Sequence, residues 1–379
     1  METVHRVLRG HPGVLYVAIG QTGAVALGAI FWFVMAKLLE PGAYGQINWL
    51  ISIAMFVSTS CVLGWGKTVV TYYPKGGMDD LLGGAVTIVL VTSLAGGVAM
   101  GLLVEPLVGL LIVGLSLFSM TVSFELGKRR YKRYMWTWIG IKLISLPLAI
   151  AMYFWQGLLG VLLGYAIPHL IFGLLSLKYM RKSNPGIKEA KEKAGFALKA
   201  FGADVTTGST SMLDKILIGP LFGMVTLGLY QLAYQIFMAL SVLPMVLFSY
   251  LLPEKSAGTK TMQVETLGIL VSVALAASVI VLSPIIIPWV FPSFSESVGL
   301  IQVMSLGVVP FTIAATKMSE LYAHERPGVV LVSYAVALAA GIAGILVLGS
   351  CFGAIGLATS MLLLQTTLAA SLILFRGIK

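Results

Sequence analysis

Charge is scarce in this sequence. Of its 379 residues only 11% are Asp, Glu, Lys or Arg, and only 15 are acidic. A soluble chain carries about a quarter of its residues charged, so a water-exposed globule is excluded. Cysteine is nearly absent: Cys61 and Cys351 make no disulfide framework. No cluster of residues has metal-ligand spacing, and there is neither a Gly-x-x-x-x-Gly-Lys-Ser/Thr phosphate loop nor a Gly-x-Ser-x-Gly elbow. The segments between apolar runs are too short to set out an acid and a base. The sequence therefore calls for no metal, no cofactor and no enzyme. With no ATP site, energy for any transport has to come from an ion gradient or the substrate's own gradient.

What is abundant is apolar. Hydrophobic residues make up 58% of the chain and the mean hydropathy is +0.96. Runs of about 20 apolar residues recur, each long enough to cross a hydrocarbon core about 30 Å thick. They predict an all-α polytopic membrane protein with about twelve spans, near 14–36, 47–66, 82–104, 107–126, 134–154, 157–177, 200–218, 227–251, 264–288, 297–316, 328–349 and 353–375. The opening "METVHRVLRGHPG" leads into a full span, so no cleavable signal is expected.

The net charge of +10 would suit nucleic acid, but its placement argues otherwise. Of the 25 Lys and Arg, 22 fall at the two termini and in alternate loops, and the opposite loops hold only Lys37. Basic residues stay on the cytoplasmic side of an inserted chain. Both termini are thus expected in the cytoplasm of a multi-pass cell-membrane protein, with no nucleic-acid partner.

The longest polar connector, 178–199, is expected to carry a short surface helix and to divide the chain into six-span lobes, 1–193 and 194–379. With an even number of spans each, the lobes lie the same way up, as a parallel duplication would. A Gly-x-Tyr recurs at Gly42–Tyr44 and Gly228–Tyr230, an offset of 186 that pairs Gln21 with Thr207.

The seventh span is the polar one: "DVTTGSTSMLDKILIG", 204–219. One Asp or Lys at mid-span costs roughly 2.5–3.5 kcal/mol, against about 0.3–0.6 returned by each Leu or Ile. Asp204 and Lys215 share a helix face about 16 Å apart along the axis and cannot touch. A stripe of Asp204, Thr207, Ser211, Asp214 and Lys215 fits a wet path better than a buried pair. Gln21, Lys67 and Lys142 are the other candidates for a substrate cavity. Asp204, Asp214 and Glu125 are the candidates for coupling to H+ or Na+, although Glu125 also precedes the basic "GKRRYKR" and suits pairing with it. His169, beside Pro168, reads as a packed, hydrogen-bonded histidine.

"AKLLEPGAYG", the span closing at Gly64 to Lys67, "ELGKRRYKRYMW" and "SMLDKILIGPLFGMVTLGLYQLAYQIF" together resemble the polysaccharide-transporter (Wzx-like) flippases, of the MATE/MOP superfamily. The resemblance implies two six-helix lobes around a central cavity lined by spans 1, 2, 7 and 8. It also implies flipping of lipid-linked oligosaccharides by alternating access, with membrane lipids and glycan-assembly enzymes as partners. Span arginines are few here, so Lys67, Lys142 and Lys215 would have to meet a phosphate, as point charges. The competing readings are a MATE-type cation/ion antiporter and a non-transport scaffold of a glycan pathway.

Overall fold

The structure is a computed structural model; it describes residues 12–75, 79–179 and 187–375, and among these the regular elements are all helical. Proline opens many of the helices: α1 is Pro12–Leu38, α2 Pro41–Val62, α5 Pro106–Gly127 and α13 Pro327–Leu374. Its locked φ suits the first turn, where its missing N–H has no partner to lose. Between these lie α3 Trp65–Tyr72, α4 Asp79–Leu103, α6 Tyr131–Leu174, α7 Ile187–Phe222, α8 Met224–Leu240, α9 Val242–Ser256, α10 Met262–Val290, α11 Val298–Leu306 and α12 Val308–Ala323.

Among the described residues, nine continuous helical stretches are long and apolar enough to cross a membrane. Two of them, 48 residues each, are hairpins broken at Gly157 and Gly353, which raises the number of passes to eleven. The polar α7 makes the twelfth, matching the twelve expected spans. Where a separate surface helix was expected at the start of α7, the Lys/Glu-rich turns from Ile187 run unbroken into the span as one 36-residue helix. Lys, Glu and Ala are strong helix formers, and no proline interrupts them before Pro220. Pro147 sits inside α6 without breaking it; the break is at Gly157.

Two compact units emerge. One holds the described residues up to Phe31 together with Leu50–Gly208; the other holds Trp32–Trp49 and everything from Ser209. In the first, α4, α5 and α6 pack in succession. Its core includes Trp65, Val69, Leu82, Val86, Met120 and Phe124, with Ala190 and Ala197 of α7. In the second, a core from α12 and α13 includes Ala315, Leu321, Val330, Ala337, Leu364 and Leu368. Such cores gain from close side-chain packing, since lipid tails are as apolar as leucine.

A repeat is visible in two places. Gly157 (φ 61, ψ −135) and Gly353 (φ 58, ψ −137) each reverse a helix within one residue. This backbone region is open to glycine alone. Three residues later, a methyl on Gly160 would strike the Met152 carbonyl, and one on Gly356 the Leu348 carbonyl. The second place lies within the second unit, where α2 and α8 approach through glycines. A methyl on Gly45 would overlap the Met224 carbonyl, and one on Gly228 the Pro41 carbonyl, each four residues before the other glycine. This reciprocal contact sets the register at 183 residues instead of 186, so Gln21 corresponds to Asp204, not Thr207. The offset grows to 196 at the hairpins, mostly because the second-half stretch Pro292–Ala323 has 32 residues against 22 in Pro106–Gly127.

Candidate functional site

The second span ends in a break. Leu63 (φ 50) and Gly64 (φ 73) are both left-handed, and α3 starts afresh at Trp65. α7 comes so close that a methyl on Gly64 would overlap the Ala197 carbonyl. The break turns the amphipathic α3 so that Trp65, Gly66, Thr68 and Val69 are buried while Lys67 points away from them. Lys67 Nζ lies 2.6 Å from Asp204 Oδ1, with the lysine side chain 55% and the aspartate 26% exposed. Both line a cavity of about 550 Å³ within the first unit. Ser58 and Thr59 of α2, Thr71 of α3, and Ser119 and Ser123 of α5 line it as well. A pair this exposed adds only about 0–1 kcal/mol to stability. Holding the fold together is therefore a poor account of why two charges sit here. A cavity that sets five hydroxyls, one ammonium and one carboxylate among the apolar Val62, Val70, Leu115, Leu126 and Phe196 can hydrogen-bond a polyol and meet an anion.

The lower part of the polar helix is different. Asp214 and Lys215 form a closed, buried pair with Nζ 3.2 Å from Oδ1 and side chains only 9% and 6% exposed. Asp214 Oδ1 also accepts the Lys215 backbone N–H at 2.8 Å, and Oδ2 accepts the Tyr230 hydroxyl at 2.9 Å. Lys215 Nζ donates to the Ser211 carbonyl at 2.7 Å and stands 3.7 Å above the Tyr234 ring. The cavity beside Asp214 is about 20 Å³, room for about one water. The expected wet stripe is thus divided: Asp204 faces a cavity, whereas Asp214 and Lys215 are sealed. Two adjacent opposite charges can fold onto each other, and two tyrosines of α8 supply the remaining partners.

The other candidates are scattered. Gln21 donates to the Tyr134 hydroxyl at 3.0 Å. Lys142 Nζ lies 3.5 Å from the Tyr165 hydroxyl and 5.3 Å from that ring's centre. His169 is buried, with Nδ1 2.7 Å from the Tyr165 carbonyl oxygen; a carbonyl only accepts, so Nδ1 carries the proton. Ser211 is half-buried and contributes its carbonyl to Lys215. The Thr207 side chain lies outside the described ones. Glu125 is buried and lines a second cavity with Lys132, Arg133 and Lys178, close to the basic run it was expected to pair with.

Several residues escaped the sequence reading. Tyr230 and Tyr234 complete the Asp214–Lys215 cluster, and Tyr134 and Tyr165 engage Gln21 and Lys142. The cavity hydroxyls were legible only as spacings: Ser119 and Ser123, like Lys67 and Thr71, are four apart on one helix face.

Residues 92–258 match the family described as "Polysaccharide biosynthesis protein". No curated protein matches the chain significantly. Among solved structures, the lipid II flippase MurJ in an inward closed conformation aligns with TM-score 0.78 at 13% identity, over 95% of this chain and 87% of MurJ. An inward-facing multidrug resistance MATE transporter of the MOP superfamily aligns with TM-score 0.65 at 11% identity, over 96% and 97%. A MOP superfamily transporter from Pyrococcus furiosus aligns with TM-score 0.59 at 10% identity, over 96% and 93%. At these identities the likeness concerns the fold alone: the chain shares the helical fold of these three structures.

Proposed function

We propose that the protein flips a lipid-linked oligosaccharide precursor across the cytoplasmic membrane by alternating access of two six-span lobes, both termini facing the cytoplasm. The observation that carries this reading is the Lys67–Asp204 pair at the 550 Å³ hydroxyl-lined cavity, set in a MOP fold. The match of residues 92–258 to a polysaccharide biosynthesis family supports the glycan. In this reading Lys67 meets the phosphate that links sugar to lipid, Asp204 holds the lysine until the phosphate arrives, and the serines and threonines take the place of water around the sugar. Asp214, Lys215 and Ser211 shape the seventh span from within, and Lys142 and Gln21 belong to the wall of the first unit.

The test is reconstitution in liposomes with a fluorescent polyprenyl-diphosphate oligosaccharide, following its accessibility to an outside reagent. The wild type is expected to expose the inner label, and Lys67→Gln to slow exposure at least about tenfold, since a charge-assisted hydrogen bond to the phosphate is lost. Equal rates in empty and loaded liposomes would refute flipping. A cation antiporter, the reading favoured by Asp204 and the MATE fold, predicts the opposite for Lys67→Gln: export of organic cations unimpaired or faster.

A further inference from the structure

The second cavity of the first unit belongs to none of this. It has a volume of about 510 Å³ and is lined by Lys132 and Arg133 at the start of α6, Lys178 in the turn Leu175–Tyr179, and Glu125 and Thr121 of α5. Trp136, Phe172 and Leu175 form its apolar side. The hairpin at Gly157 explains the gathering: α6 leaves from this face and returns to it, so cations far apart in sequence line one hollow.

Two features point to a ligand. First, three cations face one buried carboxylate, and two of them occupy the first turn of α6, which contains no acidic residue. Cations there add to the positive end of the helix dipole instead of opposing it, so the hollow is left with a surplus of positive potential. Charge that only fixed topology would be served equally well spread over the loop. Second, the hollow is flanked by surface of the kind that faces acyl chains. Trp136 is 54% exposed, and Ile171 and Leu174, beside Phe172 and Leu175, are exposed too. An exposed indole beside basic residues marks the headgroup level of a bilayer. A free anion would need the cations alone. A phospholipid would use the cations for its phosphate and the apolar flank for its chains, as basic pockets between spans do.

We propose that this hollow binds the phosphate of an anionic membrane phospholipid, Lys132, Arg133 and Lys178 holding the headgroup and Trp136, Phe172 and Leu175 receiving the upper acyl chain. The site is separate from the Lys67 cavity and independent of the transport reading.

The test uses the full chain in detergent, exposed to equal amounts of phosphatidylglycerol and phosphatidylcholine and examined by native mass spectrometry. The wild type is expected to retain phosphatidylglycerol preferentially. Lys178→Gln should reduce that preference about fivefold, and Lys132→Gln with Arg133→Gln about fivefold further for each charge removed. Lys67→Gln should leave it unchanged, which separates failure here from failure of the transport proposal. An unaltered preference in Lys178→Gln and in the triple variant, each of wild-type helicity by circular dichroism, would overturn the site. Millimolar inorganic phosphate is the last arm. Phosphatidylglycerol that survives it supports a lipid ligand, and phosphatidylglycerol stripped by it makes the hollow a free-anion site and defeats the proposal.

Discussion

Asp214 and Lys215 are neighbours in sequence, and their side chains fold onto each other beneath two tyrosines. Burying two charges is costly; what decides the outcome is whether every polar atom finds a partner. Here the carboxylate has three kinds of donor and the ammonium has a carboxylate, a carbonyl and an aromatic face. Removing one member leaves the other buried without its counter-charge, at a cost of about 3–5 kcal/mol. Asp214→Asn and Lys215→Met should each lower the melting temperature in detergent, and the double change Asp214→Leu with Lys215→Met should recover much of the loss. Equal melting of both singles and the wild type would show that the pair is not sealed. At this scale the sequence was half legible. The price of charge in a span marked α7 as unusual, but the tyrosines that satisfy it look like ordinary aromatic residues on α8. Nothing local says that Asp204 meets Lys67 while Asp214 meets its own neighbour.

Elements were easier to read, because twelve apolar runs and their punctuation suffice to place twelve passes. Boundaries failed where composition misleads. The Lys/Glu turns of α7 look like a surface helix, yet continuous helix propensity carries them into the span. The repeat was misregistered by three residues because Gly-x-Tyr matched letters, whereas the structure matches glycines that let backbones touch at Gly45 and Gly228. The reversal at Gly157 yields a sharp expectation. A side chain there is held in a backbone region that costs of the order of 1–3 kcal/mol, although no atom lies within 4 Å of the added methyl. Gly157→Ala should therefore lower thermal stability through strain alone, and Gly160→Ala, which meets the Met152 carbonyl, should lower it through collision. If Gly157→Ala melts like wild type, the tight reversal is wrong.

For the molecule as a whole, orientation rests on the lopsided distribution of Lys and Arg. The chain carries its own reporter: Cys351 is exposed beside the reversal at Gly353, and Cys61 is buried. A membrane-impermeant maleimide applied to intact cells is expected to label Cys351. A cysteine replacing Lys260 in a Cys351→Ser background should label only after permeabilisation. The reverse pattern would invert the topology and move the Lys67 cavity to the wrong leaflet for a cytoplasmic precursor.

The paired reversals at Gly157 and Gly353 carry one more implication. Two unrelated stretches would have little reason to arrive at the same dihedral pair followed by the same glycine three steps on. The simplest history is a half-length helical segment, copied and fused. On that history the present chain, split into two polypeptides between 179 and 187, ahead of α7, and co-expressed, should reassemble without the covalent link.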